Sequence, residues 1–241
     1  MAEVCETSEP TIMRFLRKLG CRSYQHFKVS IAQEISAGET NAIYEEIKKD
    51  DTIEQIKQKI ISLTVTSIQD IDRLVDGKTL QQVVTLLTKA KRIIFLGIGG
   101  SGIIAKDAFH KFLRLGLNVD YSSDSHIMSI YASFATSDDL IMAFSHSGES
   151  SEVIEAVRIA KENKAKTVVF TGYHNSTLAE LADILLLSST NETMYRSQSM
   201  VSRLIQLVII DMLYVALVLN KGEEAIENVN RSRLAVAQKK V

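Results

Sequence analysis

From residue 91 the chain repeats one rhythm, a short apolar run followed by a helical pattern. The runs fall at 92–96, 117–121, 140–144, 167–170 and 184–187, and the helical patterns near 103–115, 125–135, 151–163 and 176–182. Strands that alternate with helices read as successive βαβ units, and such units build a parallel sheet with helices on both faces. The fold class this predicts is α/β, a doubly wound parallel five-stranded sheet. In such sheets a ligand lies beyond the carboxyl ends of the strands, near a topological switch point. Whatever sits in the turns after these strands is therefore placed to touch a ligand.

The residues ahead of this rhythm differ in kind. Residues 29–90 contain no convincing strand, and Ile53, Ile56, Ile60, Leu63, Ile71 and Leu74 fall mostly three and four apart, predicting one face of a long helix. The class is thus α/β preceded by an all-α region. With 46% hydrophobic and 24% charged residues in 241, a single proline and a net charge of -1, the chain has the chemistry of a globular protein. It is not one coated in positive charge for nucleic acid, although a local basic patch is compatible with that balance. Cys5 and Cys21 form no CxxC pair and no signal-peptide pattern opens the chain, which predicts free thiols in a cytoplasmic protein. The most apolar stretch, 204–219, is interrupted by Gln206 and Asp211 and is shorter than the ~20 residues a membrane span needs. It predicts a buried or subunit-contacting helix, with no membrane partner.

Two of the turns are rich in small polar residues. "GIGGSG", residues 97–102, follows the first strand, and glycines there let backbone approach a ligand while the next helix directs N–H groups outward. Gly97, Gly99 and Gly102 also satisfy GxGxxG, and Asp120 lies where a ribose-binding acid would sit, so a dinucleotide is a competing ligand. "SHSGES", residues 145–150, follows the third strand and places Ser145, Ser147, Ser150 and Ser151 around Gly148. Hydroxyls and helix-terminal N–H groups satisfy the oxygens of a phosphate without a dedicated cation. Helix capping alone accounts for one or two of these serines.

"GIGGSG" followed by "SDDLIMAFSHSGESSEVIEAVRIAKENKAKTVVFTG" resembles the sugar isomerase (SIS) domain, a module that binds phosphosugars, over roughly residues 80–220. The resemblance implies a phosphate cradle made by Gly100 and Ser101 in the first turn and Ser145, Ser147 and Ser150 in the second. It puts His146 between two of these with its side chain available to the ligand, and Thr171-Gly172 at the next edge of the pocket. An isomerase would need a base near C1–C2 of the sugar and an acid near the ring oxygen or carbonyl. Glu149, Glu152, Glu192, His146 and His174 are candidates by position, but no two of them pair as an acid/base couple by spacing. Glu149 also suits the start of the following helix, and His110 and His126 fall in helical patterns as ordinary surface or packed histidines. No cluster has metal-ligand spacing, so neither a metal nor a cofactor is expected.

The first twenty residues, "MAEVCETSEPTIMRFLRKLG", read as two short helices around a turn. Thr7 is placed to cap the second, Pro10 fits its first turn, and Ile12, Phe15, Leu16 and Leu19 form its buried face. Arg14, Arg17, Lys18, Arg22 and Lys28 outnumber Glu3, Glu6 and Glu9, a local basic excess of the kind a recognition helix uses on phosphates. "AEVCETSEPTIMRFLRKLGCRSYQHFK" resembles the helix-turn-helix of RpiR-type transcriptional regulators, and "SRLIQLVIIDMLY" (202–214) resembles their C-terminal helix.

That resemblance implies a phosphosugar-responsive regulator, not an enzyme, with Ser8, Glu9, Thr11 and Arg14 as the DNA-contacting residues. Tyr24, His26 and Phe27 match the family's turn, with Ser23 in place of its usual glycine. It also implies that the first helix of the motif precedes Met1, leaving an incomplete helix-turn-helix in which Val4, Phe15 and Leu16 lack apolar partners and DNA binding is weakened. The expected organisation is a helix-turn-helix region over 1–40, a helical linker over 41–78 and the SIS domain over 79–241. The expected partners are a phosphorylated sugar, an operator in double-stranded DNA and a second copy of the chain. Contact surfaces for that copy are expected at 204–219 and 53–74, and Arg196 and Arg203 suit a second anion or a salt bridge.

Overall fold

The structure is a computed structural model that describes residues 7–18, 27, 47–48, 50–188 and 198–237. The chain divides into two compact units, Met1–Thr52 and Ile53–Val241. In the first, helix α1 spans Glu9–Lys18. Its N-cap position is held by Ser8 and not Thr7, because the Ser8 carbonyl accepts the N–H groups of Thr11 and Ile12 at 3.0 and 3.1 Å. Leu16 is fully buried, so it does not lack partners, whereas Phe15 is half exposed and not part of the buried face. The expectations for Val4, Leu19, Arg22, Ser23, Tyr24, His26 and Lys28 lie outside the described residues.

The second unit opens with helices. Helix α2 (Ile53–Gln69), the single turn α3 (Ile71–Leu74) and α4 (Gly77–Lys89) follow in order. The long helix expected over this stretch is broken at Asp70, and Ile53 points into solvent, while Leu63, Ile71, Val83, Val84 and Leu87 turn inward. Asp76 starts α4 by accepting the Thr79 N–H at 2.8 Å, a side-chain N-cap.

Strands and helices then alternate as β1 (Arg92–Gly97), α5 (Gly99–Leu113), β2 (Val119–Ser122), α6 (Ser125–Ser133), β3 (Asp139–Phe144), α7 (Ser151–Glu162), β4 (Lys166–Thr171), α8 (Thr177–Glu180) and β5 (Ile184–Leu187). All pairings are parallel and the strand order is β2-β1-β3-β4-β5. The five-stranded doubly wound sheet is therefore observed. Alternate residues of each strand enter separate cores. Ile93, Phe95, Met142, Phe144 and Phe170 pack with α4, α5 and the later helix α9 (Gln198–Lys221). On the opposite face Ile94, Leu96, Ile141, Ala143 and Val169 pack with α6, α7 and α8. The order reverses between β1 and β3, so α5 leaves β1 toward one face and α7 leaves β3 toward the other. The crevice between those two strand ends is the switch point, where such sheets hold ligands.

Helix α9 has 24 residues, and an 18-residue window within Val201–Lys221 reaches a mean hydropathy of 2.0, long and apolar enough by length and composition to cross a bilayer. It is longer than the apolar run in the sequence suggests. Packing identifies it as a core helix: Ile205, Ile209, Ile210, Leu213 and Leu217 are buried against the sheet. Two of its polar residues are engaged by neighbouring elements. The Gln206 amide donates to Ser188 at 2.8 Å, and Asp211 binds the Lys111 ammonium of α5, which also pairs with Asp107. Burial of Lys111 disfavours its charge, yet the hydrogen bonds to Asp211 and Asp107 outweigh that and hold its pKa above the ordinary lysine value. A last helix, α10 (Glu223–Ala237), is anchored by Asn228, whose amide donates to the Leu115 carbonyl at 3.0 Å.

Candidate functional site

The two small-residue turns are adjacent in space. The backbone N–H of His146 donates to the Ser101 hydroxyl at 3.4 Å, a weak bond that ties the turn after β3 to the turn after β1. Below them, Phe144 and Phe170 stack with ring centroids 4.4 Å apart, and Ser145 N–H donates to the Phe170 carbonyl at 3.0 Å. The turn thus rises from a rigid pair of adjacent strand ends.

Backbone crowding explains the glycines of the first turn. A Cβ on Gly97 would sit 2.7 Å from the Ser101 carbonyl oxygen, and one on Gly102 would sit 2.7 Å from the Gly97 oxygen. These two backbones are in contact, which leaves Gly99 and Gly100 exposed at the rim. In the second turn Gly148 has φ +66°, and its Cβ would lie 2.0 Å from the Ser176 hydroxyl, so no side chain fits.

The serines divide into two kinds. Ser145 is buried, and its hydroxyl accepts the Gly148 N–H at 3.1 Å and bonds the Ser150 hydroxyl at 3.0 Å. It braces the turn from within. Ser101, Ser147 and Ser150 are half-buried at the rim, Ser147 receiving the Glu149 N–H at 3.2 Å. No serine caps α7 through its side chain: Ser150 occupies the N-cap and makes no capping bond, and Ile98 has no such bond to offer α5. Capping therefore does not account for this cluster. The starts of α5 and α7 and three half-buried hydroxyls thus lie on the two turns that the His146–Ser101 bond joins, and neutral donors of this kind suit an anion.

The other candidates are placed differently. The His146 ring packs edge-on against Tyr173 at 5.6 Å and beside Gly172, while its carbonyl accepts from Thr171 Oγ1 and Gly172 N–H. Glu149 does not serve α7. Its carboxylate reaches across to α8 and accepts the Thr177 N–H at 2.9 Å and the Thr177 hydroxyl at 2.8 Å. Glu152 accepts from Ser151, His174 bonds Asn175, and His110 and His126 are exposed on α5 and α6. Asp120 is not at the ligand edge: it lies beside Ile94 in the register and is held by the Arg92 guanidinium at 2.5 Å, with Tyr131 donating at 3.4 Å. The acid that a dinucleotide ribose would need is thus already engaged. Arg203 is half-buried on α9, while Glu192 and Arg196 lie outside the described residues.

On α1, three of the four expected DNA-contacting residues share an exposed patch. The Ser8 and Thr11 hydroxyls bond at 2.9 Å, and the Arg14 guanidinium donates to Thr11 Oγ1 at 3.4 Å.

Comparison with known proteins decides the family. A SIS domain is recognised over residues 86–216, and a helix-turn-helix domain of the rpiR family over residues 1–38. This chain belongs to the rpiR family of transcriptional regulators. It is 41% identical to an uncharacterized HTH-type transcriptional regulator of Thermotoga maritima, over 97% of this chain and 83% of that protein. It is 30% identical to the HTH-type transcriptional regulator HexR of Escherichia coli, over 99% of this chain and 82% of HexR. Among solved structures, Vibrio vulnificus NanR complexed with ManNAc-6P aligns with a TM-score of 0.76 at 25% identity, covering 98% of this chain and 84% of NanR.

The regulator also carries site features that no local pattern announces. The bond between Glu149 and Thr177 spans 28 positions, and Ser176, which starts α8 by accepting the Ala179 N–H, is the side chain that excludes a Cβ at position 148. The nearest sequence signal is the small-polar string "NSTLAE" after β4, an N-cap pattern whose contact with the serine turn only the fold reveals.

Proposed function

We propose that the SIS domain of this regulator binds a phosphorylated sugar at the switch point and that its occupancy sets DNA binding by the helix-turn-helix. The phosphate lies between Gly100-Ser101 and the turn 145–150, receiving the Ser101, Ser147 and Ser150 hydroxyls and N–H groups of α5 and α7. Ser145 shapes this cradle from below, and His146, through its backbone N–H, joins its two halves. The observation that carries the reading is the meeting of the two serine turns through His146 N–H and Ser101. The ManNAc-6P complex of NanR supports it.

The site favours binding over turnover. Its two described glutamates are committed to Thr177 and Ser151, and an aldose–ketose isomerase needs a carboxylate or imidazole held at the sugar carbons. On α1, Ser8, Glu9, Thr11 and Arg14 meet the operator in the bacterial cytoplasm. Two copies are needed to read two half-sites. They associate through α2 and α9, whose outward stripes Ile61, Val65, Ile68 and Met212, Val215, Leu219 are exposed. In this proposal residues 1–40 carry DNA binding, 41–78 link, and 79–241 sense.

The test is thermal shift of the purified chain against a panel of phosphosugars with NAD and NADH alongside. Saturation at 100 times the dissociation constant stabilises by roughly 2.7 kcal/mol, a readily visible shift. Ser147→Ala removes one hydroxyl from the phosphate and weakens binding by about 1–3 kcal/mol. A shift with NADH alone, or a phosphosugar shift unchanged in Ser147→Ala, would overturn the assignment.

A further inference from the structure

Glu149 presents a contradiction that points to its role. It is the one carboxylate inside the 145–150 turn, between Ser147 and Ser150, where a dianion is proposed to bind. A carboxylate free to swing there would repel the phosphate. Instead both of its oxygens accept hydrogen bonds from Thr177, Oε1 from the backbone N–H at 2.9 Å and Oε2 from the hydroxyl at 2.8 Å. Two further contacts run in parallel: the Leu178 N–H donates to the Gly148 carbonyl at 3.0 Å, and Gly148 Cα abuts Ser176. The Glu149 backbone N–H, on the same residue, donates to the Ser147 hydroxyl at 3.2 Å. The rim hydroxyl is therefore linked through one residue to the start of α8.

We propose that Glu149 is a positioning residue for the phosphate cradle, clamping the serine turn onto Thr177 so that the Ser147 hydroxyl is held for the ligand and the carboxylate is held away from it. This rests on the phosphate-cradle reading. The clamp acts through two acceptor bonds, so an amide at this position, which keeps an acceptor for the Thr177 N–H and removes the charge, performs most of the task. An alanine performs none of it. Of the hydrogen bonds described between the turn and α8, the one from Leu178 N–H to the Gly148 carbonyl then remains, and the backbone N–H that the Ser147 hydroxyl accepts is no longer held in place from α8.

The experiment titrates inorganic phosphate at constant ionic strength into the full chain, reading the melting temperature of wild type, Glu149→Ala, Glu149→Gln and Ser147→Ala, each against its own phosphate-free value. Glu149→Ala should bind phosphate roughly tenfold more weakly, the order lost with a hydrogen bond to a charged group. Glu149→Gln should return to wild-type affinity or exceed it, a rescue that general destabilisation of the fold does not produce. Wild-type affinity in Glu149→Ala, or equal loss in Glu149→Gln and Glu149→Ala, overturns the clamp while Ser147→Ala still reports an intact cradle. Wild-type protein that phosphate does not stabilise overturns the cradle and the clamp together.

Discussion

Alanine at position 148 should damage this protein far more than alanine at position 100, although both glycines belong to strand-to-helix turns at the same end of the sheet. At Gly148 the backbone is left-handed, φ +66°, which costs a residue with a Cβ about 1–2 kcal/mol. The new methyl would also lie 2.0 Å from the Ser176 hydroxyl, 2.3 Å from the Ser176 Cβ and 2.9 Å from Thr171 Oγ1. Ser176 is buried, caps α8 and donates to the Tyr173 carbonyl at 2.9 Å, so it cannot turn aside without losing the cap and that bond, about 1 kcal/mol each. The total is about 3–4 kcal/mol. For a domain of this size that lowers the melting temperature by about 10 °C.

Gly100 is the control. Nothing lies within 4 Å of its built Cβ, its φ is not in the left-handed range, and it sits in the first turn of α5, where alanine is a better helix former by about 0.5–1 kcal/mol. Calorimetry of the two variants reads both effects in one scaffold. A Gly148→Ala protein that melts within about 2 °C of wild type, less than the shift of 1 kcal/mol, would refute the crowding argument.

Two further outcomes concern the partners. Arg14→Ala should weaken operator binding across all sequences and reduce the salt slope by about one unit if the guanidinium meets a phosphate, measured by fluorescence anisotropy at several salt concentrations. Val65→Asp with Val215→Asp places charges on the exposed stripes of α2 and α9, where neither side chain supports the monomer core. Sedimentation should then report half the wild-type mass with an unchanged circular dichroism spectrum. An unchanged mass would move the subunit contact elsewhere.

The central strands β1, β3 and β4 were legible because a strand buried on both faces must be largely apolar, and the partly exposed edge strands β2 and β5 were legible from shorter apolar runs. The boundaries were less so. Strand β2 begins at Val119 and not at 117: its pairing with β1 starts where Ile93 N–H donates to the Asn118 carbonyl at 2.9 Å and Ile93 faces Val119. Helix α5 begins at Gly99, inside the glycine-rich turn, where propensity argues against a helix. The break at Asp70 was hidden because Ile71 and Leu74 continue the apolar spacing of α2 after the axis has changed. Helix α10 escaped notice because Ala225 is its one fully buried residue; Asn228 and Ser232 fasten it through polar contacts to 114–115.

The candidate site was legible to the extent that its chemistry is local. Serines around a glycine at a strand-to-helix turn carry their meaning in six residues. That Ser145 faces inward while Ser147 faces the rim depends on how the turn closes on itself. The engagement of Asp120 by Arg92 and of Glu149 by Thr177 depends on pairings 28 positions apart in each case, which no spacing rule reaches.

The reversal of strand order between β1 and β3 has a consequence for how this sensor evolves. Helices α5 and α7 start at neighbouring points yet root in different apolar layers, one shared with α9 and the other with α6 and α8. A small molecule bound as proposed, resting on both helix starts, would act as a keystone between layers that otherwise meet through the sheet and the weak His146–Ser101 bond. Substitutions deep in either layer that tilt one helix by a fraction of an ångström alter the fit without replacing any residue that touches the molecule. Preference for one sugar over another can drift through the interior of the protein while the serine turns stay the same.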